Sequence, residues 1–254
     1  MTDISFGQTP QTQNIPPDVD ISVVGFQQTP LRNLTDLYVG DFSNVPFISY
    51  LHFNLSSVKM SEPLTTVSHT IVLRLLAAGP IQYSTAKPIQ NPMNLVYIVT
   101  VALAHCKNPY WTVERWSQSN CSLTDVDTST QSSVLIANNS LPKFYDWTVT
   151  SAVEKALLTQ KEVTLIVTGF ALNANVNGFN GGVKFWNKET TSYFGNLFAG
   201  PPLLIVTTTT APSPSYNSLS LYYNSLSLLL AAVIIVVGAV GAVAFWMQYK
   251  KQRR

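Results

Sequence analysis

Between Leu226 and Met247 the chain reads LSLLLAAVIIVVGAVGAVAFWM, without one charged residue. As an α-helix this stretch spans about 33 Å, against a bilayer core of about 30 Å. A helix apolar on every side needs either lipid or a protein shell around it, and too few residues remain to build the shell. Tyr216, Tyr222 and Tyr223 precede the run, and Trp246 and Tyr249 close it. Such rings favour the headgroup layer, and the cations Lys250, Lys251, Arg253 and Arg254 then lie in or beyond the far headgroups. The segment YNSLSLY at 216–222 is nearly repeated at 223–229, so the helical face starts before Leu226. A single transmembrane helix is predicted over 221–249, with a basic tail at 250–254. Gly238 and Ala242 form a small-xxx-small pair that Gly241 widens, a notch through which two such helices can approach in a homo-oligomer.

The charge balance carries the topology. Of 15 Lys and Arg, four sit in the tail, which leaves 11 against all 13 acids. Positive-inside logic places the tail in the cytoplasm, or in a particle interior, with residues 1–220 on the opposite side of the lipid. Charged residues are only 11% of the chain, against roughly 25% in ordinary soluble domains. A disordered chain and a nucleic-acid binder with a wide basic face are excluded on that ground. Only the tail offers nucleic acid or anionic lipid a nonspecific contact. Residues 1–30 hold no apolar run suited to a signal peptide. Three routes fit: a tail-anchored chain with a cytoplasmic body, a leader missing from this sequence despite Met1, or assembly into a membrane-containing particle with the body outward.

Residues 1–17, rich in Gln, Thr and Pro, read as a flexible arm, and 207–220, opening TTTTAPSPS, as a stalk stiffened by proline. Between them, strand signals recur at 20–26, 46–55, 70–78, 94–104, 132–137, 162–172, 182–186 and 202–207, rich in β-branched and aromatic residues. TSAVEKALLTQ at 150–160 alone reads as a helix, with Thr150 or Ser151 as its cap. Many short strands with one short helix predict an all-β fold, an antiparallel β-sandwich or jelly roll over 18–206.

Several segments add a resemblance. They are Leu37-Tyr38-Val39-Gly40, Ile48-Ser49-Tyr50-Leu51-His52-Phe53-Asn54-Leu55-Ser56, Val72-Leu73-Arg74-Leu75, Trp111-Thr112-Val113-Glu114-Arg115-Trp116, Tyr145-Asp146-Trp147-Thr148-Val149, Val183-Lys184-Phe185-Trp186-Asn187-Lys188-Glu189 and Pro202-Leu203-Leu204-Ile205-Val206. In this order they resemble the DNRLRE (disaggregatase-related) domain family, a β-sandwich group of microbial surface proteins close to carbohydrate-binding modules. His52 and Asn54 stand where that family favours Arg and Asp, and Thr148 where it has Asp. The resemblance implies a sugar-binding or adhesive module and implies no catalysis.

Cys106 and Cys121 flank a Trp-rich segment; in an oxidising compartment a disulfide between them would close it, the alternative being two buried thiols. There is no CxxC and no His at ligand spacing, so no metal is expected. Two D-x-D pairs, Asp18/Asp20 and Asp125/Asp127, are the candidates for a structural calcium, weighed against solvated loop acids. Sequons occur at Asn33, Asn54, Asn120 and Asn138, with the loop sites Asn33, Asn120 and Asn138 preferred over Asn54 at a strand end. Among the aromatics, Tyr110, Trp111 and Trp186 lie in or near loops, where a flat ring can stack on a sugar; core packing accounts for most of the others.

His52, His69 and His105 sit in strand-like runs, and no nucleophile elbow, zincin motif or phosphate loop appears. Glu114 and Glu189 are the one imaginable glycosidase pair, on a weak enzymatic reading. The sequence therefore points to a non-catalytic, single-pass surface protein whose partners are the bilayer and either glycans or neighbouring proteins. The rival is a capsid, vertex or spike component of a membrane-containing virus or surface filament.

Overall fold

In the computed structural model the described residues are 10–25, 28–31, 36–42, 45–58, 67–81, 95–106, 121–137, 141–172, 181–188 and 200–210. They fold into twelve strands and one helix: β1 (Gln11–Ile15), β2 (Val19–Val24), β3 (Thr29–Pro30), β4 (Asp36–Phe42), β5 (Val45–Asn54), β6 (Val67–Ile81), β7 (Val96–Cys106), β8 (Cys121–Ala137), β9 (Lys143–Thr148), α1 (Thr150–Thr159), β10 (Glu162–Ala171), β11 (Gly182–Trp186) and β12 (Leu203–Thr210). The hydrogen-bonded order is β1-β12-β6-β11-β4-β5-β10-β7-β8, with β2 also on β5, β3 on β2 and β9 on β6. β1/β12, β2/β3, β2/β5, β4/β5, β4/β11, β5/β10, β6/β9, β6/β11, β7/β8 and β7/β10 run antiparallel. The expected all-β class with one short helix is therefore present.

β5 organises the domain because both of its faces are buried, each against a different apolar cluster. Leu51 and Phe53 enter the larger core with Leu73, Leu75, Val99, Val101, Leu165, Trp147 and Phe185. Ile48 and Tyr50 point the other way, into a smaller cluster with Ile21, Val23, Ala102, Ala104, Ile166 and Cys121. The register shows why: Ile21, Tyr50, Ile166 and Ala102 form one cross-strand row over β2, β5, β10 and β7. Inside the larger core the Trp147 indole donates to the Val99 carbonyl at 2.9 Å and meets Phe185 edge-on at 5.9 Å.

β4 changes partners midway. Asp36–Gly40 pair with β11, and Gly40–Phe42 pair with β5. The switch falls on Gly40, whose φ of +152° and whose close approach to the Gly182 backbone exclude a side chain. Before it, among the described residues no strand is registered with β4 on its β5 side, and two serines take that place. Tyr38 N–H donates to Ser22 Oγ at 2.8 Å, and Ser49 Oγ donates to the Tyr38 carbonyl at 2.9 Å. The Ser22 and Ser49 hydroxyls lie 2.8 Å apart. Since the Ser49 proton is committed to Tyr38, Ser22 must donate to Ser49, and three bonds form a directed ring.

Three expectations change. The arm was drawn to residue 17 and the stalk from 207, yet Gln11–Ile15 pair with Thr208–Leu204, and Ile15 is buried. Polar residues look like linker by composition, but an edge strand is satisfied by its ladder, so the compact unit runs Pro10–Thr209. β8 begins at Cys121 rather than 132. The helix matches its expected span, but neither Thr150 nor Ser151 caps it. Val149 is the N-cap residue, without a side-chain hydrogen bond, and Thr150 Oγ1 instead accepts Ile71 N–H at 2.9 Å. The apolar run 226–247 and its anchor residues Leu226, Gly238, Gly241, Ala242, Trp246, Lys250, Lys251, Arg253 and Arg254 lie outside the described residues. Among those described, no helix is long and apolar enough to cross a membrane.

Candidate ligand-facing site at the disulfide

Cys106 and Cys121 stand directly opposite one another at the ends of β7 and β8 and form a disulfide, with Cα atoms 4.3 Å apart. The bond closes the segment 107–120 at its base. That segment carries Tyr110, Trp111, Glu114 and Asn120, all outside the described residues.

The base is clamped by a residue that sequence reasoning missed. Gln28, 1% exposed, adopts a left-handed φ of 50°. Its carboxamide nitrogen donates to the Cys121 carbonyl at 3.0 Å and the Tyr50 hydroxyl at 3.1 Å, and its oxygen accepts Leu123 N–H at 3.3 Å. The opposite orientation would set its oxygen against the Cys121 carbonyl, two acceptors face to face. Nothing in GFQQTP marks one glutamine as buried; the signal is tertiary.

Beside the disulfide lies an open depression of about 460 Å³ lined by His105, Cys106, Thr124, Asp125, Val126 and Asp127. His105, Thr124 and Asp125 are exposed. Asp127 is organised by its neighbours. Lys155 Nζ of α1 donates to it at 2.8 Å, Ser129 Oγ at 2.6 Å and Ser129 N–H at 3.0 Å. The Lys155 ammonium, then the Ser129 hydroxyl, hold its carboxyl down to about 2. Here β8 bulges, pairing Asp127 with Leu103 and Ser132 with Val101. Thr130, buried within the bulge, supplies the missing ladder acceptor: its hydroxyl accepts Leu103 N–H at 2.9 Å and donates to the Asp127 carbonyl at 2.8 Å. The depression thus offers a carboxylate and a hydroxyl from β8 and an imidazole from β7, a set suited to hydrogen-bonding polyols.

Other expected site residues sit elsewhere. Trp186 is only 7% exposed, so it has no free ring face for a sugar; it closes β11, a strand whose flanking positions are also buried. Asn33 and Asn138 fall outside the described residues, as does Glu189. The Asp20 carboxylate of this D-x-D pair accepts Lys188 N–H at 2.7 Å, while Lys188 Nζ donates to the backbone carbonyl of Asp18 at 2.7 Å. Among the described residues no three His, Cys, Asp or Glu gather as a metal site. His52 is buried, with Nδ1 3.0 Å from Thr164 Oγ1 and Nε2 3.7 Å from Glu162 Oε2. Burial lowers its pKa, against the opposing pull of Glu162 and Asp18. His69 is also buried, 3.3 Å from Thr208 Oγ1. No protein-family model matches the chain, and no curated protein matches it either.

Proposed function

We propose that this chain is a membrane-anchored display protein whose β-sandwich head binds glycans without catalysis, held outside the lipid by the carboxyl-terminal helix. The DNRLRE-like order of its strands is part of that reading. The observation that carries it is the disulfide Cys106–Cys121, whose Cys106 lines a depression furnished with His105, Thr124 and Asp125 and whose two cysteines bound the sequence segment that contains Tyr110 and Trp111. Rings that cover the C–H face of a sugar, next to groups that bond its hydroxyls, make a carbohydrate site.

A glycan array probed with the head, residues 10–209, tests it. Binding is expected, with loss in Trp111→Ala and in Asp125→Asn and none in an exposed control such as Lys161→Ala. No binding, or binding indifferent to both site variants, ends the proposal. Protease accessibility on intact membranes tests the outward topology separately.

A second reading, a structural component of a membrane-containing particle, is favoured by one surface feature. Leu135, Phe170 and Leu172 are 60%, 52% and 50% exposed, and Ile98 pairs with both Leu135 and Phe170. This apolar patch reaches β8, the last strand in the order, where a neighbouring copy of the chain would pack. Ordered, symmetric copies on purified particles, lost in Leu135→Asp, would support that reading; unordered monomers on cells would oppose it.

A further inference from the structure

Asn54, the sequon ranked lowest by sequence, is the one that falls among the described residues. Asn54 is the last residue of β5, exposed, opposite Glu162. Its side-chain oxygen accepts Ser56 N–H at 2.8 Å, closing an Asx turn. This leaves the amide nitrogen without a protein partner among the described residues. Between the two, Leu55 is 2% exposed, donates its N–H to the Lys161 carbonyl at 2.8 Å and accepts Val58 N–H at 2.9 Å. A pinned, buried leucine thus holds an amide and a hydroxyl at the surface on either side, both exposed.

Next to this turn lies a groove of about 330 Å³ whose lining includes Leu55, Ser56, Leu157 and Leu158. Leu158 is 77% exposed, the most exposed large apolar side chain described. The sequon's own serine forms part of the groove wall.

We propose that Asn54 is an N-glycan acceptor and that the first saccharides of its chain lie over the groove at Leu158. The donor is an oligosaccharide linked through phosphate to a polyprenyl lipid. The Asn54 amide nitrogen bonds to the anomeric carbon, and the anomeric C–O bond to phosphate breaks. The polyprenyl phosphate leaves with the electron pair, and the amide proton passes to a base of the transferase. This inference rests on the head lying outside the membrane, as proposed above.

The test uses the full chain isolated from membranes of an N-glycosylating host, after protease accessibility has fixed the side of the head. Cleavage at Arg32 and Lys59 leaves Asn33 and Asn54 on one peptide, so mass spectrometry is done in an Asn33→Gln background. The peptide is expected to carry a glycan mass. That mass should vanish in Asn54→Gln and in Ser56→Ala, which keeps the asparagine, and persist in Ser56→Thr. An unmodified peptide in a head shown to lie outside overturns the inference and leaves the display reading standing; a head found inside removes both. Hydroxyl-radical labelling of Leu158 should rise after enzymatic deglycosylation, and equal labelling refutes the placement over the groove.

Discussion

The ring of hydrogen bonds at Tyr38 makes a quantitative prediction. Ser22→Ala removes two of its three bonds, Tyr38 N–H to Ser22 and Ser22 to Ser49, and orphans a backbone N–H. Ser49→Ala also removes two, Ser22 to Ser49 and Ser49 to the Tyr38 carbonyl. Both serines are buried, at 3% and 0% exposure, so water does not readily replace what is lost. At about 1 kcal/mol net per bond, each single variant loses about 2 kcal/mol and the double variant about 3 rather than 4. The coupling of about 1 kcal/mol is the Ser22–Ser49 bond, which either substitution alone already breaks. Urea unfolding of residues 10–209, followed by tryptophan fluorescence, reads all four corners of the cycle, provided the slope m is unchanged. Losses that add to within about 0.3 kcal/mol, or a Ser22→Ala variant within about 0.5 kcal/mol of the parent, would refute the ring.

Gly40→Ala should cost about 2–4 kcal/mol, because a Cβ at φ +152° meets the β11 backbone; a shift in urea midpoint measures it. Gln28→Ala should lower stability by about 1–3 kcal/mol by orphaning the Leu123 N–H, and weaken the glycan binding proposed above, both read on one preparation. The Asp127 carboxyl is held near 2 in the folded head, below its ordinary 3.8. Its contribution is therefore full above pH 3.8 and lost as pH falls toward 2; Asp127→Asn should flatten the stability profile in that window. His52 is depressed below 6.5 by burial, so the unfolded chain binds its proton first. That contribution is full above pH 6.5 and declines as pH falls toward the depressed value, a slope that His52→Gln should remove, checked by unfolding midpoints at neutral and acid pH.

Legibility in the sequence followed the source of each element's stability. β5, β7, β10 and β11 announced themselves because apolar β-branched and aromatic residues fill them, and α1 because its buried Ala152, Val153 and Ala156 share a face. β1 and the carboxyl half of β12 read as linker, since QTQNI and TTTT bury little beyond Ile15 and draw their order from a ladder formed by the two ends of the domain. The early half of β8, rich in Ser, Thr and Asp, was hidden likewise. The cysteine pairing was one of two readings the sequence left open, whereas Gln28 and Thr130 gave no signal, because each satisfies backbone groups contributed by another strand. Trp186 was misplaced for the converse reason: β11 is buried on both faces, at Phe185 as at Trp186, and aromatic content does not say how many faces of a strand are covered.

β12 is the strand through which any pull from the carboxyl terminus must enter the head. Its five registered pairs with β1 lie along its length, and β6 flanks its other side. Tension directed along that strand is shared by the whole row at once, as in a shear joint, instead of peeling one rung after another. The inconspicuous residues Gln11–Ile15 thereby become a mechanical clasp, and deleting them should lower the force at which the head tears open far more than its small apolar area suggests.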